Sequence, residues 1–210
     1  MFRQGSRLVA IAAAVSRVLT VIKLGGSLLK NGTLPACLHA AAHYPGQIVL
    51  VPGGGVFADQ VRSSQKQWHF DDLTAHRMAI LAMQQMALLC HGIHSAFPLL
   101  HGLRDLHAAA RITIWSPELK ELNDSTIAAS WDITSDSLAV WLAEQLSATK
   151  LILVKSCDIQ THATLTDLQQ QGIIDAGFSN LIQSAHFSLS IVNQALFCRC
   201  HVQIPQVAPE

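Results

Sequence analysis

Basic runs are missing from this chain. Its 14 Lys and Arg are matched by 14 Asp and Glu, for a formal net charge of +0 with histidine neutral. The electrostatic footprint of a nucleic-acid binder is therefore lacking. The five cysteines (Cys37, Cys90, Cys157, Cys198 and Cys200) form an odd set without a Cys-x-x-Cys pair. Most lie in apolar stretches, where a thiol behaves as a small hydrophobe, and the set fits a reduced, cytoplasmic protein. Cys198-Arg199-Cys200-His201 has no second ligand pair to make a metal site and reads instead as alternation along a final strand. His91-x-x-His94 and His101 also lack a carboxylate or cysteine at ligand spacing, so no metal ligands are assigned. Arg3 and Arg7 ahead of Leu8 to Val15 loosely imitate a secretory signal, but the apolar run is too short to cross a bilayer. Residues 1–17 read as an N-terminal extension to a domain over 18–210, with no membrane partner. No internal repeat or linker divides that domain, and 210 residues, 50% of them hydrophobic, suffice for one buried core.

Two nucleotide-binding signatures are absent as well. Neither Gly-x-x-x-x-Gly-Lys-Ser/Thr nor Gly-x-Gly-x-x-Gly occurs, which excludes a P-loop and weakens dinucleotide chemistry. Two other glycine turns are present, each leaving an apolar strand: Leu19 to Leu24 runs into Gly25-Gly26-Ser27, and Ile48 to Val51 into Pro52-Gly53-Gly54-Gly55. A strand that ends in glycines and passes into a helix aims main-chain N–H groups and the positive helix end at one spot, which suits phosphate. Helical spacing resumes from Ser27 to Ala42, broken at Asn31-Gly32, and again through Val56, Phe57, Gln60 and Val61. A long helix is expected over Leu73 to His91, with apolar positions Leu73, Ile80, Leu81 and Leu88, Met78, Met83 and Met86 as core filler, and a stop at Gly92. Phe97 to Leu100, Ile112 to Trp115 and Leu151 to Val154 read as strands. Thr134 or Ser135 is placed to cap a helix over Leu138 to Leu146. Gly172 to Gly177 reads as a loop, with Phe187 to Val192 and Leu196 to Ile204 closing the sheet. This alternation implies α/β architecture: a three-layer αβα sandwich with a mainly parallel sheet, binding its ligands at the carboxyl ends of the strands.

Lys23 lies just before Gly25-Gly26 and Lys155 ends another strand, so both can bring an ammonium group to one sheet edge. Each either snorkels to the rim or neutralises a phosphoryl group in flight. Asp136, at a capped helix start, either serves the helix dipole or holds the lysines in place, with magnesium ordered through water. Arg62, one turn beyond Gly55, is equally suited to an acceptor phosphate and to a surface salt bridge. Partners are small molecules or further copies of the chain, and the long apolar helix can supply a homo-oligomer interface or be buried within the monomer.

Lys-x-Gly-Gly-Ser on the first strand, Gly-Gly-Gly after the second, Thr134-Ser135-Asp136 before a helix, and a Lys155-x-x-Asp158 strand end occur in the order of the amino acid kinase superfamily, which the chain resembles from about Val21 to Asp175. Gly53 to Arg62, Ala75 to Met83 and Ser130 to Ser137 look like one branch of it, that of the aminomethylfuran phosphate kinases of methanofuran biosynthesis. The resemblance implies ATP-dependent transfer to a small phosphorylated acceptor, with ATP and Mg2+ as cofactors. It places Lys23, Gly25, Gly26 and Ser27 on the transferred group, and Gly53, Gly54 and Gly55 on the acceptor. Asp136 organises the site, while Lys155, Ser156 and Asp158 meet the nucleotide. Asp59, Arg62 and His76 line the acceptor pocket, with His76 and Asp59 facing the acceptor's amine. The chain departs from the superfamily in one half: Asp158 is followed by Ile159 rather than glycine, and Gly172 to Ile182 has no lysine. Either Lys155 replaces that cation, or nucleotide binding is altered or not followed by transfer.

Overall fold

The computed structural model describes residues 18–109, 111–123, 127–183 and 185–199; the expected extension over 1–17 lies outside them. Strands β1 (Leu19–Leu24), β2 (Gln47–Pro52), β3 (Leu99–Leu100), β4 (Ile112–Trp115), β5 (Lys150–Lys155) and β6 (Ser188–Asn193) form one sheet, ordered β3-β4-β2-β1-β5-β6. Every neighbouring pair is parallel. Between and after them run helices α1 (Ser27–Lys30), α2 (Leu34–His43), α3 (Gly55–Trp68), α4 (Asp72–Ile93), α5 (Leu103–His107), α6 (Leu119–Asn123), α7 (Ser135–Gln145), α8 (Leu165–Gln170), α9 (Phe178–Ile182) and α10 (Gln194–Arg199).

Strand side chains alternate faces, and here both faces are buried, as apolar parallel strands require. Val21, Val49, Val51, Leu151, Leu153, Leu189 and Ile191 pack with Leu138 and Leu142 of α7, Leu168 of α8 and Phe178 of α9. Ile22, Leu24, Ile48, Leu50, Ile114, Ile152 and Val154 face the opposite way, onto Leu34 and Leu38 of α2 and Phe197 of α10. The three-layer α/β expectation therefore holds. The same alternation decides where the strand lysines point. Lys23 follows Val21 by two residues and Lys155 follows Leu153 by two, so both share the α7 face.

Three local readings are overturned. Along α4 the large apolar positions Leu73, Leu81 and Leu88 are 46%, 43% and 58% exposed. The buried stripe is Ala75, His76, Ile80, Ala82, Met83, Met86, Ala87 and Cys90, which includes Ile80, Met83 and Met86 as expected. Small side chains let the helix pack closely, and the leucines fall on its outer side. The helix also runs through Gly92 to Ile93. Secondly, residues 194–199 form α10 rather than a strand. The Asn193 side chain accepts from the Leu196 N–H at 2.8 Å, offering the chain a helical turn as it leaves β6. Cys198 thus lies on a helix, 3.9 Å from Cys37, while Cys200 and His201 lie outside the described residues. Thirdly, the Phe97 to Leu100 strand shrinks to β3, two residues long.

Candidate active site

Both glycine turns leave the same edge of the sheet, because β1 and β2 are parallel neighbours with Leu24 paired to Pro52. They touch. A Cβ added to Gly26 would lie 2.3 Å from the Gly55 nitrogen, so neither turn tolerates a side chain there. Gly55 has φ +55 and sits 3.3 Å, by the same measure, from the Gly26 carbonyl; its left-handed backbone and its neighbour both favour glycine. Two of the amides expected to meet phosphate are committed elsewhere: the Gly25 N–H donates to Val154 O at 3.0 Å and the Gly53 N–H to Leu24 O at 2.9 Å. These bonds hold the turns. The N–H groups of Ser27 and Gly55 begin α1 and α3, where no intrahelical acceptor exists.

On the α7 face beneath the turns, Asp136 joins the two strand lysines. Its carboxylate lies 2.8 Å from Lys23 Nζ through one oxygen and 2.6 Å from Lys155 Nζ through the other. All three side chains are less than 10% exposed. Burial by itself would raise the Asp136 carboxyl, but the two ammonium groups outweigh it and hold it below the usual carboxylate range. Burial, helped by repulsion from Lys23, lowers Lys155 to about 8, against the attraction of Asp136. Lys155 also donates to the Ile173 carbonyl. Neither ammonium group snorkels to the rim, since both turn inward to Asp136.

Asp175, which the sequence reading left without a role, holds this arrangement from outside. Its carboxylate accepts from the Thr134 N–H and hydroxyl, both at 2.8 Å, from the Ser137 N–H at 3.1 Å and from the Ser137 hydroxyl. The expected cap of α7 is therefore inverted: Thr134 stands at the N-cap but makes no side-chain cap bond, because its hydroxyl donates to Asp175 and a distant carboxylate caps the helix. Gly177 packs on the same segment, its N–H donating to Asp132 O at 2.6 Å.

A cleft of about 340 Å³ opens beside the turns. Lys23, Gly26, Ser27, Gly53, Gly54, Gly55, Asp59, Arg62 and His76 all line it, so most of the expected site residues converge. Gly25, Asp136, Lys155, Ser156 and Asp158 are not part of that lining. Ser156 Oγ donates to Ser27 Oγ at 2.7 Å, across the gap between β5 and β1, and Asp158 accepts from Asn193 at 2.8 Å at the end of β6. Asp59 is bridged by Lys30 at 2.6 Å and Arg62 at 3.6 Å. The Arg62 guanidinium also lies 4.2 Å over the Trp131 ring, and Trp131 Nε1 donates to Gln65 Oε1 at 2.6 Å. Both uses weighed for Arg62 thus remain compatible with its position. Burial lowers the pKa of His76, which favours a neutral ring in the cleft wall. Lys30, Trp131 and Asp72 also line the cleft but were not singled out from sequence. Only Trp131 carried a signal, by lying within the Ser130 to Ser137 stretch.

The Lys155 value carries a testable pH signature. An unfolded lysine keeps its ordinary 10.5 against about 8 here, so between those values the unfolded chain holds the extra proton and stability rises with pH. Any activity that needs the Lys155 cation falls across the same window. We expect kcat/KM to drop with an apparent pKa near 8, while urea unfolding free energy rises from pH 8 to pH 10. A rate profile flat to pH 10 would discount the Lys155 charge.

Known proteins resemble the chain in both sequence and fold. The model of the amino acid kinase family matches residues 18–159. A (5-(aminomethyl)furan-3-yl)methyl phosphate kinase of Methanocaldococcus jannaschii is 30% identical over 142 residues, a match that spans 66% of this chain and 66% of that protein. Uridylate kinase of Archaeoglobus fulgidus superposes with a TM-score of 0.63 at 17% identity, over 83% of this chain and 90% of its own. The UMP kinase of Bacillus anthracis gives 0.63 at 13%, over 85% and 88%, and that of Ureaplasma parvum 0.59 at 16%, over 84% and 90%. At those identities the solved structures speak for the fold alone.

Proposed function

The chain belongs to the amino acid kinase family, and from that membership we propose that it is an ATP-dependent kinase. Its acceptor on this reading is (5-(aminomethyl)furan-3-yl)methyl phosphate, made into a diphosphate for a methanofuran-type one-carbon cofactor. The observation that carries the reading is the contact between the two glycine turns above the buried Lys23–Asp136–Lys155 cluster. The printed activity of the relative at 30% identity, which this chain matches over about two thirds of that protein's length, supports the choice of acceptor.

The chemistry asked of the chain is modest. A phosphomonoester has a second pKa of about 6, so the acceptor oxygen is ionised near neutrality and needs no general base. That oxygen attacks the γ-phosphorus, the bond from phosphorus to the β-bridging oxygen breaks, and ADP leaves. Lys23 neutralises charge on the migrating group, where catalysis is mostly positioning and electrostatics. Gly26 and Ser27 hold that group, and Gly54 and Gly55, at the start of α3, hold the acceptor phosphate. Asp136 keeps the lysines in place, with Asp175 fixing the helix that carries it. Lys155, Ser156 and Asp158 face the nucleotide side. Asp136 does not fit as a direct magnesium ligand, since both its oxygens already face ammonium groups. The cation that accompanies ATP is therefore assigned no ligand here.

Purified protein given ATP, magnesium and the furan phosphate is expected to release ADP and form the diphosphate, read by a coupled assay and mass spectrometry. Turnover of uridylate, isopentenyl phosphate, a carboxylate or a phosphonate without turnover of the furan phosphate would reassign the acceptor. Nucleotide binding with no transfer to any of them would make the protein a non-catalytic relative.

The outer stripe of α4 fits a homo-oligomer, because Leu81 and Leu88 are seven residues apart, two turns on one side of the helix, and both are exposed. Leu88→Glu is then expected to shift sedimentation toward the monomer; an unchanged profile would remove α4 from the interface. Dependence on ATP and the free thiols of Cys37, Cys90, Cys157 and Cys198 fit a cytoplasmic setting. Among the described residues no helix is long and apolar enough to cross a membrane.

A further inference from the structure

Resting on the kinase reading above, we infer that Asp72 is a specificity-determining residue of the acceptor cleft, selecting phosphate acceptors that carry an ammonium group at their other end. Two carboxylates, Asp59 and Asp72, are among the described residues lining the cleft. Asp59 is already spoken for, bridged by Lys30 and Arg62. Asp72 has no cationic partner among the described residues. Its Oδ1 accepts from the neutral Gln65 amide at 2.9 Å.

That amide cannot turn over without loss. Gln65 Oε1 accepts from Trp131 Nε1 at 2.6 Å, while its Nε2 donates to Asp72 and, at 3.2 Å, to the Phe70 carbonyl. An indole offers only a donor and an ionised carboxylate only acceptors, so the two neighbours set the amide orientation between them. Asp72 is thus held by one oxygen from the cleft wall, and no bond to its Oδ2 occurs among the described residues.

Its place along α4 matches the length of a small acceptor. Ala82 of α4 packs against Gly54, lying 3.5 Å from a Cβ built there. Asp72 is ten residues earlier, about 15 Å at 1.5 Å per residue. Allowing for side-chain reach and a hydrogen bond at each end, a phosphate, a small ring and an aminomethyl group span the remainder. His76, one turn inward from Asp72, is buried, which lowers its pKa and disfavours a second cation there. An acid in the first turn of α4 also favours the helix dipole, so the test must separate that role from recognition.

The experiment compares the aminomethyl furan phosphate with its hydroxymethyl counterpart, which keeps the phosphate and ring but lacks the charge. Wild type is expected to prefer the amine by roughly 10- to 100-fold in kcat/KM, the worth of one charge-assisted hydrogen bond. Asp72→Asn is expected to bring that ratio close to one through KM, and Asp72→Glu to retain part of it. A preference that survives Asp72→Asn overturns the assignment and leaves the kinase standing, as does a wild type that uses both acceptors equally. A wild type that neither binds nor phosphorylates either compound, by calorimetry and ADP release, overturns the inference together with the reading beneath it.

Discussion

Lys23→Ala is expected to lower kcat by about 10³, the scale set by deleting one preorganised donor from a site of developing negative charge, while the domain still folds. The activity loss follows from position: the ammonium group lines the cleft beside Gly26 and Gly53. The tolerance follows from charge. Without Lys23, Asp136 still meets Lys155 at 2.6 Å, so a buried acid keeps one buried base. Removing Lys23 also removes one of the causes that lower Lys155, so the alkaline limb of whatever activity remains should move to higher pH. Steady-state ADP release and a thermal melt check the first two statements, and a pH profile the third. Near-normal turnover would take Lys23 out of the mechanism.

Asp136→Asn acts mainly on stability. The substitution keeps the shape but leaves two ammonium groups without the carboxylate that pairs them, in a site where each is less than 10% exposed and only the more distant Asp175 still favours the Lys155 charge. Breaking a buried pair in this way typically costs about 3–5 kcal/mol, against a total of roughly 5–15 kcal/mol for a domain. Urea unfolding should show a large drop in midpoint. Adding Lys155→Met to the same chain removes one of the two stranded charges and should recover part of the loss, a coupling a double-mutant cycle measures. A loss below about 1 kcal/mol, the range of an exposed ion pair, would mean that the cluster is solvated and does not hold the lysines.

Most of the strands were legible because their apolar runs are short, bounded by glycine or proline, and buried on both faces. Helix α10 was not, since Leu196 to Arg199 is too short for its period to separate helix from strand; Asn193 was the available signal. The inner face of α4 was legible only in part, through Ile80, Met83 and Met86. Its packing is built on Ala75, Ala82, Ala87 and Cys90, whose small size permits close approach, whereas a reading by hydrophobic bulk favours the exposed leucines. Asp175 and Asp72 carry no local pattern, because their partners lie in other elements: Thr134 and Ser137 for one, Gln65 for the other.

By itself the sequence determined the parallel strands, the two glycine turns and the lysines at the strand ends, all of which depend on neighbours within a few residues of one another. That the turns abut, that Asp136 stands between Lys23 and Lys155, and that Asp175 caps α7 were decided only by tertiary structure. Each depends on strand order and register, which bring together residues tens of positions apart in the chain or, as with Lys23 and Asp136, more than a hundred, and no local periodicity encodes such a meeting.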